Sequence, residues 1–403
     1  MCGFPTNLGG CFLNELLFDY SITIKKSQMN LGELKGKKVA IVHDFLDNYG
    51  GAERVLEAIC EIFPEAPIYT LLYDKEKMRG KFEGRDIRTS FLQSFPKFFK
   101  RKARRYLLPF MPTAPETFDL REFDVVISSS GAWSKGIVTR LNTIHIAYLH
   151  SPMRFVWDYK ENYLKDIGKK IGIFKRIFLT YLRVWDFEAA QRPDVLLTNS
   201  KFTQARIKKY YRRDSQVIYP GIDILDDEKM NESDLKEKDY FLVVSRLAAY
   251  KKVDLVVEVF NKMNLPLVII GEGEKLDEIK KNAKENIKVL GWKSDEEIKK
   301  YYRNARAFVF PAVDDFGLTI VEAMQFGKPV IALKDGGAKE IIKEGITGEF
   351  FRAQTVEVMA DGVRRFLENE KKYDERVIKE EVKRFSKDRF KEELVELIKK
   401  SVL

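Results

Sequence analysis

Cysteine and histidine are both scarce in this sequence. Its 403 residues hold three cysteines, Cys2, Cys11 and Cys60, at no metal-ligand spacing and with two of them in the first 36 residues. A disulfide framework is not expected, and a reducing cytoplasm fits. With His43, His145 and His150 the only histidines, a zinc site of the HExxH or Cys-His type is excluded. Nor does any stretch approach the ~18 consecutive apolar residues of a membrane-spanning helix. The opening MCGFPTNLGGCFLNELLFDY lacks the basic flank and clean apolar core of a signal peptide, so secretion is not indicated. Met29 begins MNLGELKGKKVAIVHDF, a more natural start, and residues 1–36 are expected to form a poorly ordered extension.

What the chain does have is alternation. Hydrophobic residues make up 45% of it, and at this length two domains of ordinary size are expected. The first half carries the apolar runs VAIVH (39–43), DVVIS (124–128), HIAYL (145–149) and DVLLT (194–198). The second repeats the rhythm with YFLVVS (240–245), PLVII (266–270), IKVLG (287–291), AFVFP (307–311) and PVIAL (329–333). Segments of helical period such as 253–263, 295–304 and 354–368 separate them. Near-continuous apolar runs suit parallel strands covered on both faces, so the predicted fold is α/β, two Rossmann-like doubly wound units. The expected domains are residues 37–220 and 240–375, joined by the acidic, aperiodic linker 221–239. Residues 376–403 supply helices that pack back, with Phe390, Leu394, Leu397 and Ile398 on one face. Ligands of open α/β sheets bind beyond the carboxyl ends of the strands, so chemistry is sought in those loops.

Four loops qualify. DFLDNYGGAERVLEAI places Gly50 and Gly51 at a helix start, where close backbone approach and free N–H groups suit a phosphate or sugar oxygen; the plain alternative is a tight turn with Glu53 as a first-turn acid. In SRLAAYKK, Arg246 and Lys251 suit a diphosphate whose charge grows as it leaves, or else a solvated basic loop. Gly271 and Gly273 in GEGEKL match a dinucleotide fingerprint only in part, because Leu276 replaces its third glycine. AVDDFGLTIVEAM sets Asp314 before a helix, the N–H groups of Phe316, Gly317 and Leu318 at its mouth and Glu322 about one turn inside. An N-cap Asp with a surface Glu is the simpler account of that pair. Of the histidines that end strands, His43 and His150, the latter opens onto the cleft and is the better active-site candidate, although a lone histidine is more often structural.

Taken together, VAIVHDF…GGAERVLE, YLHSPMRFVWDY, NSKFT, VIYPGID, VVSRLAAYKKVDL and FPAVDDFGLTIVEAM resemble, in order and spacing, the retaining GT-B glycosyltransferases of glycosyltransferase family 4. The context HSPMRFVWD is nearest to mannosyltransferases of O-antigen and surface polysaccharides. The resemblance implies a nucleotide-sugar donor, GDP-mannose first, held by the C-terminal unit, with a glycan or lipid-linked acceptor on the N-terminal one. By position, Arg246 and Lys251 would neutralise the diphosphate, Glu322 would bind the ribose and Asp314 the transferred sugar. Gly51 would lie against the diphosphate, and His150 would contact the sugar near the reacting carbon. Neither a cofactor nor a metal is implied, and the Asp314-Asp315 pair faces a helix mouth rather than a second ligand cluster. One departure stands out: the family's Glu-x7-Glu is here Asp314-x7-Glu322. Asp is shorter by about 1.5 Å, enough to make or break a hydrogen bond.

Charge is uneven. Residues 1–220 carry +12 and residues 221–403 carry −2, together the net +10. Lys97, Lys100, Arg101, Lys102, Arg104 and Arg105 fall in FPKFFKRKARRYLLPF without an intervening acid. Interleaved with aromatics, they suit an anionic membrane surface, as does GKKIGIFKRIFLTYLRVW; a solvated helix face is the plain alternative. Nucleic acid is not expected, since no recognised module accompanies the charge. The expected place is the cytoplasm, peripheral on the membrane. A nucleotide-sugar 2-epimerase of the same architecture and a silent sugar-nucleotide-binding or membrane-binding protein are the competing classes.

Overall fold

The computed structural model describes residue 34 and residues 36–101, 104–158, 173–224 and 239–402. Residues 1–36 separate from a single compact unit, Lys37–Leu403. Most of the N-terminal extension and of the 221–239 linker lies outside the described residues.

The compact unit holds two parallel sheets. The first contains β1 (Val39–Leu46), β2 (Ile68–Tyr73), β3 (Ile87–Thr89), β4 (Val125–Ser130), β5 (Ile144–Leu149), β6 (Val195–Thr198) and β7 (Gln216–Val217), in the order β3-β2-β1-β4-β5-β6-β7. The second contains β8 (Tyr240–Val244), β9 (Leu267–Ile270), β10 (Ile287–Gly291), β11 (Ala305–Phe310), β12 (Val330–Leu333) and β13 (Gly348–Phe351), in the order β10-β9-β8-β11-β12-β13. Both orders reverse direction once, between β1 and β4 and between β8 and β11. At such a switch point neighbouring loops part and leave a crevice beyond the strand ends. The predicted α/β class with two Rossmann-like units is what the chain adopts.

Burial explains the strands. Ala40, Ile41 and Val42 of β1, and Phe241, Leu242 and Val243 of β8, are at most 1% exposed, as helices on both faces require. Four strands fall outside the apolar runs of the sequence. β2 carries the fully buried Leu71 but begins right after the turn FPEAP, whereas β3, β7 and β13 are edge or near-edge strands of two to four residues, defined by pairing more than by pattern.

The final helix Lys387–Val402 leans on the first sheet's side of the molecule. Phe390 meets Tyr148 edge-on at 5.8 Å, and Lys387 reaches Glu61 at 3.0 Å. Where the chain leaves the first sheet, Ile222 pairs with Ser386: Ile222 N–H donates to Phe385 O and Lys387 N–H to Ile222 O, each at 2.9 Å. A Cβ on Gly221 would stand 2.5 Å from Lys387 Cα, so only glycine lets the two segments touch.

Candidate active site

The helix Leu318–Gln325 follows β11, and its N-cap is Gly317 at φ 102°. Asp314 is therefore not an N-cap. Its carboxylate takes Lys251 Nζ at 2.5 Å and Arg154 at 3.3 Å. Burial pushes this carboxyl toward its neutral form, and the charges of Lys251 and Arg154 more than offset that, holding it below the usual range. Burial likewise works against the charge of Lys251, and Asp314 reverses the balance, so its ammonium is held above the usual range. Glu322 is not a surface acid either. Its side chain is 14% exposed, accepts from Tyr302 Oη at 3.1 Å and pairs with Arg54 at 3.3 Å. Arg246, by contrast, is exposed and has no ion-pair partner among the described residues.

Gly271 and Gly273 allow a close approach of the chain to itself. At Gly271, φ +145°, a Cβ would fall 1.8 Å from Ser245 O; at Gly273, φ +158°, it would fall 2.3 Å from Leu247 O. These glycines seat the loop that carries Arg246. A second glycine pair, which no sequence motif marks, does the same for the acidic loop: a Cβ on Gly336 would fall 2.4 Å from Asp314 O, and Gly337 N–H donates to that oxygen at 2.9 Å. Phe316 buries its ring against Tyr219 and Phe385, leaving only its backbone to face a ligand.

On the first sheet, His43 and His150 converge on one hydroxyl. Ser129 Oγ lies 3.1 Å from His43 Nδ1 and 2.8 Å from His150 Nε2. Burial first, and His43 second, push the His150 imidazole down to about 4, so it is neutral at physiological pH. His145 is fully buried against Ser128 at 2.8 Å and is structural. Asp44, next to His43, turns its carboxylate into the loop after β4. Oδ2 accepts the N–H groups of Gly131 and Ala132 at 2.8 and 2.6 Å, and Oδ1 those of Trp133 and Ser134 at 3.0 and 2.6 Å.

The two sheets' loops meet across the crevice. Arg154, four residues after His150, donates to Asp315 at 2.5 Å as well as to Asp314, and Arg206 also pairs with Asp315. Arg54 reaches Asp295 at 3.1 Å in addition to Glu322. A Cβ on Gly51 would sit 3.2 Å from Leu318 Cδ1, so the paired-glycine loop lies against the helix mouth after β11. Gly50 N–H donates to Glu53 at 2.8 Å, and Glu53 Oε1 lies 3.3 Å from His43 Nε2. Farther along the rim the Arg79 guanidinium stacks 3.6 Å over Trp292. Sequence reasoning singles out none of Arg54, Arg154 or Arg206, and considers Asp315 only as the neighbour of Asp314. Arg54 and Arg154 stand inside quoted motifs, but their partners lie more than 150 positions away.

Lys97 is exposed on the short helix Lys97–Arg101, beside Phe98 and Phe99. Lys102 lies outside the described residues, as do the side chains of Lys100, Arg101, Arg104 and Arg105.

Comparison with known proteins bears on this arrangement. The family model described as Glycosyltransferase Family 4 matches residues 49–224, and that described as Glycosyl transferases group 1 matches residues 226–384. The chain belongs to glycosyltransferase family 4. An uncharacterized glycosyltransferase of Methanocaldococcus jannaschii is 24% identical over 345 residues, 83% of this chain and 89% of that protein. An alpha-1,3/1,6-mannosyltransferase of Saccharomyces cerevisiae is 25% identical over 235 residues, 45% of this chain and 47% of that enzyme, so the match spans about half its length. Among solved structures, Anabaena HepE in complex with UDP-glucose superposes with a TM-score of 0.67 at 18% identity, covering 90% of this glycosyltransferase and 99% of that chain. At that identity the likeness establishes the GT-B fold and nothing finer.

Proposed function

We propose that this glycosyltransferase moves mannose from GDP-mannose, with retention of configuration, to a glycan or lipid-linked acceptor. The observation that carries the reading is the cluster Lys251–Asp314 with Glu322 on one helix mouth, met across the crevice by the His150 loop. In it, Glu322 exchanges Arg54 for the ribose hydroxyls, and Asp314 binds hydroxyls of the transferred sugar. Arg246, exposed and without an ion-pair partner among the described residues, takes the diphosphate, and Lys251 adds its charge as the anomeric bond breaks. The acceptor oxygen then bonds to the anomeric carbon from the face the diphosphate leaves, and its proton passes to the departing phosphate oxygen. No metal is assigned a part.

The mannosyl choice is supported by the yeast relative, and the complex of HepE makes UDP-glucose the second donor to test. A membrane-facing acceptor site is supported by the helix Ile173–Ala189, whose Ile173, Phe174, Ile177, Tyr181 and Val184 are 52–84% exposed along one side. No helix among the described residues is long and apolar enough to cross a membrane. Thermal-shift titration with nucleotide sugars tests the proposal, because a donor bound only to the native state raises the midpoint. GDP-mannose is expected to raise it most and Glu322→Ala to remove the rise; a rise with UDP-glucose alone would reject the guanosine donor.

A further inference from the structure

Ser129 has one hydroxyl proton and two imidazoles to share it between. A hydroxyl donates once, so it gives its proton to one ring and accepts from the other. For a neutral His43 the far side of its ring decides the direction, whereas a doubly protonated ring would reverse it. His43 Nε2 lies 3.3 Å from Glu53 Oε1, and the other oxygen of Glu53 accepts the Gly50 N–H at 2.8 Å. Burial works against the charge of Glu53, yet its bonds to His43 and to backbone N–H groups hold its carboxyl below the usual range. An ionised carboxylate only accepts. With one proton on each ring, His43 carries it on Nε2, its Nδ1 accepts from Ser129, and Ser129 accepts from Nε2–H of His150. That leaves a lone pair on His150 Nδ1. No described residue hydrogen-bonds this atom and it is not among the buried unpartnered atoms, so it is reachable by solvent.

We infer that Glu53, His43 and Ser129 are positioning residues that lock His150 in its Nε2–H tautomer, so that Nδ1 accepts a hydrogen bond from a hydroxyl of the transferred sugar. The inference rests on the proposed function, which places that sugar beside His150. Its chemical point is direction. A hydroxyl that donates to nitrogen leaves its oxygen richer in electrons, which favours the positive charge that develops on the sugar as the diphosphate departs. The reversed chain would present an N–H instead and work against that charge. The other groups packed on His150 do not compete for the role. The Tyr148 ring lies edge-on at 5.3 Å with its hydroxyl donating to Ile218 O, and Asp44 is committed to the 131–134 backbone.

Histidine-selective 15N labelling gives signals from three imidazoles only, and long-range 1H–15N spectra distinguish the two neutral tautomers. The ligand-free enzyme is expected to show His150 protonated at Nε2. Ser129→Ala should mix the tautomers and lower kcat about five- to tenfold at nearly constant KM, the scale of one misdirected neutral hydrogen bond. Ser129→Thr, which keeps the hydroxyl, should recover both the tautomer and much of the lost kcat. His150 protonated at Nδ1 in the wild type, or a pure Nε2–H signal in Ser129→Ala, overturns the relay. Mixed tautomers with unchanged kcat overturn its part in transfer. Failure of the donor reading is seen separately, as wild-type enzyme whose midpoint no nucleotide sugar raises.

Discussion

Replacing Asp44 by Asn removes one acceptor oxygen from a loop that hangs on two. Each carboxylate oxygen takes two backbone N–H groups, from Gly131 and Ala132 on one side and from Trp133 and Ser134 on the other. Asn keeps one oxygen, so two of the four N–H donors would face an NH2 group. Losing two charge-assisted hydrogen bonds at about 1.5–3 kcal/mol each gives about 3–6 kcal/mol, and partial relaxation of the loop favours the lower end. Against a total stability of about 5–15 kcal/mol, that is enough to open the segment well before the domain unfolds. Native-state hydrogen exchange reads the effect directly. The amides of residues 131–134 should exchange about a hundredfold faster in Asp44→Asn, while those of β1 change little. Because Ser129 stands at the head of this loop, kcat should fall in parallel. Protection of residues 131–134 within about threefold of wild type would refute the reasoning, since at least 3 kcal/mol corresponds to about two decades.

Asp314→Asn leaves Lys251 and Arg154 without their shared anion, and because the site is partly exposed we expect a loss of about 2 kcal/mol in chemical denaturation, below the usual range for a buried pair. The Asp314 carboxyl is held low and Lys251 high, so this gap should be present from pH ~4 to ~10 and close as pH falls through the depressed carboxyl value or rises through the raised lysine value; a gap that persists unchanged at pH 2 would contradict it. Gly273→Ala sets a Cβ 2.3 Å from Leu247 O at φ +158°, which should displace the Arg246 loop and weaken nucleotide binding at least tenfold by calorimetry, unchanged affinity counting against that role. Phe174→Glu with Ile177→Glu should release the enzyme from anionic vesicles at moderate salt, and full co-sedimentation would exclude this helix as the docking face.

Much of this architecture is legible in the sequence because parallel strands covered on both faces write themselves as apolar runs. β1, β4, β5, β8 and β11 all fall within a residue or three of the runs read from composition alone. Edge strands such as β3 and β7 are not legible in that way, because their pairing comes from a neighbour rather than from their own side chains. The same division runs through the site. Lys251, Asp314 and Glu322 can be singled out because each follows a strand or opens a helix of the second sheet. The ion pairs of Asp315 cannot, because its partners Arg154 and Arg206 belong to the first sheet and are brought to it only by the meeting of the two. Glycines are legible as special but not as to what approaches them. At Gly271 and Gly273 the close neighbour is the chain itself.

The pairing of Ile222 with Ser386 has a mechanical meaning. The chain crosses between the sheets once on the way out and once on the way back, and at Gly221 and Lys387 those two crossings are zipped into a single seam. Two ropes bound side by side act as one axle. Any swing of one sheet against the other would turn about this seam, and each residue would then move in proportion to its distance from it. In such a swing Glu61, tied to Lys387, would move little, and the ion pairs of Arg154, Arg206 and Arg54 would be the contacts that open.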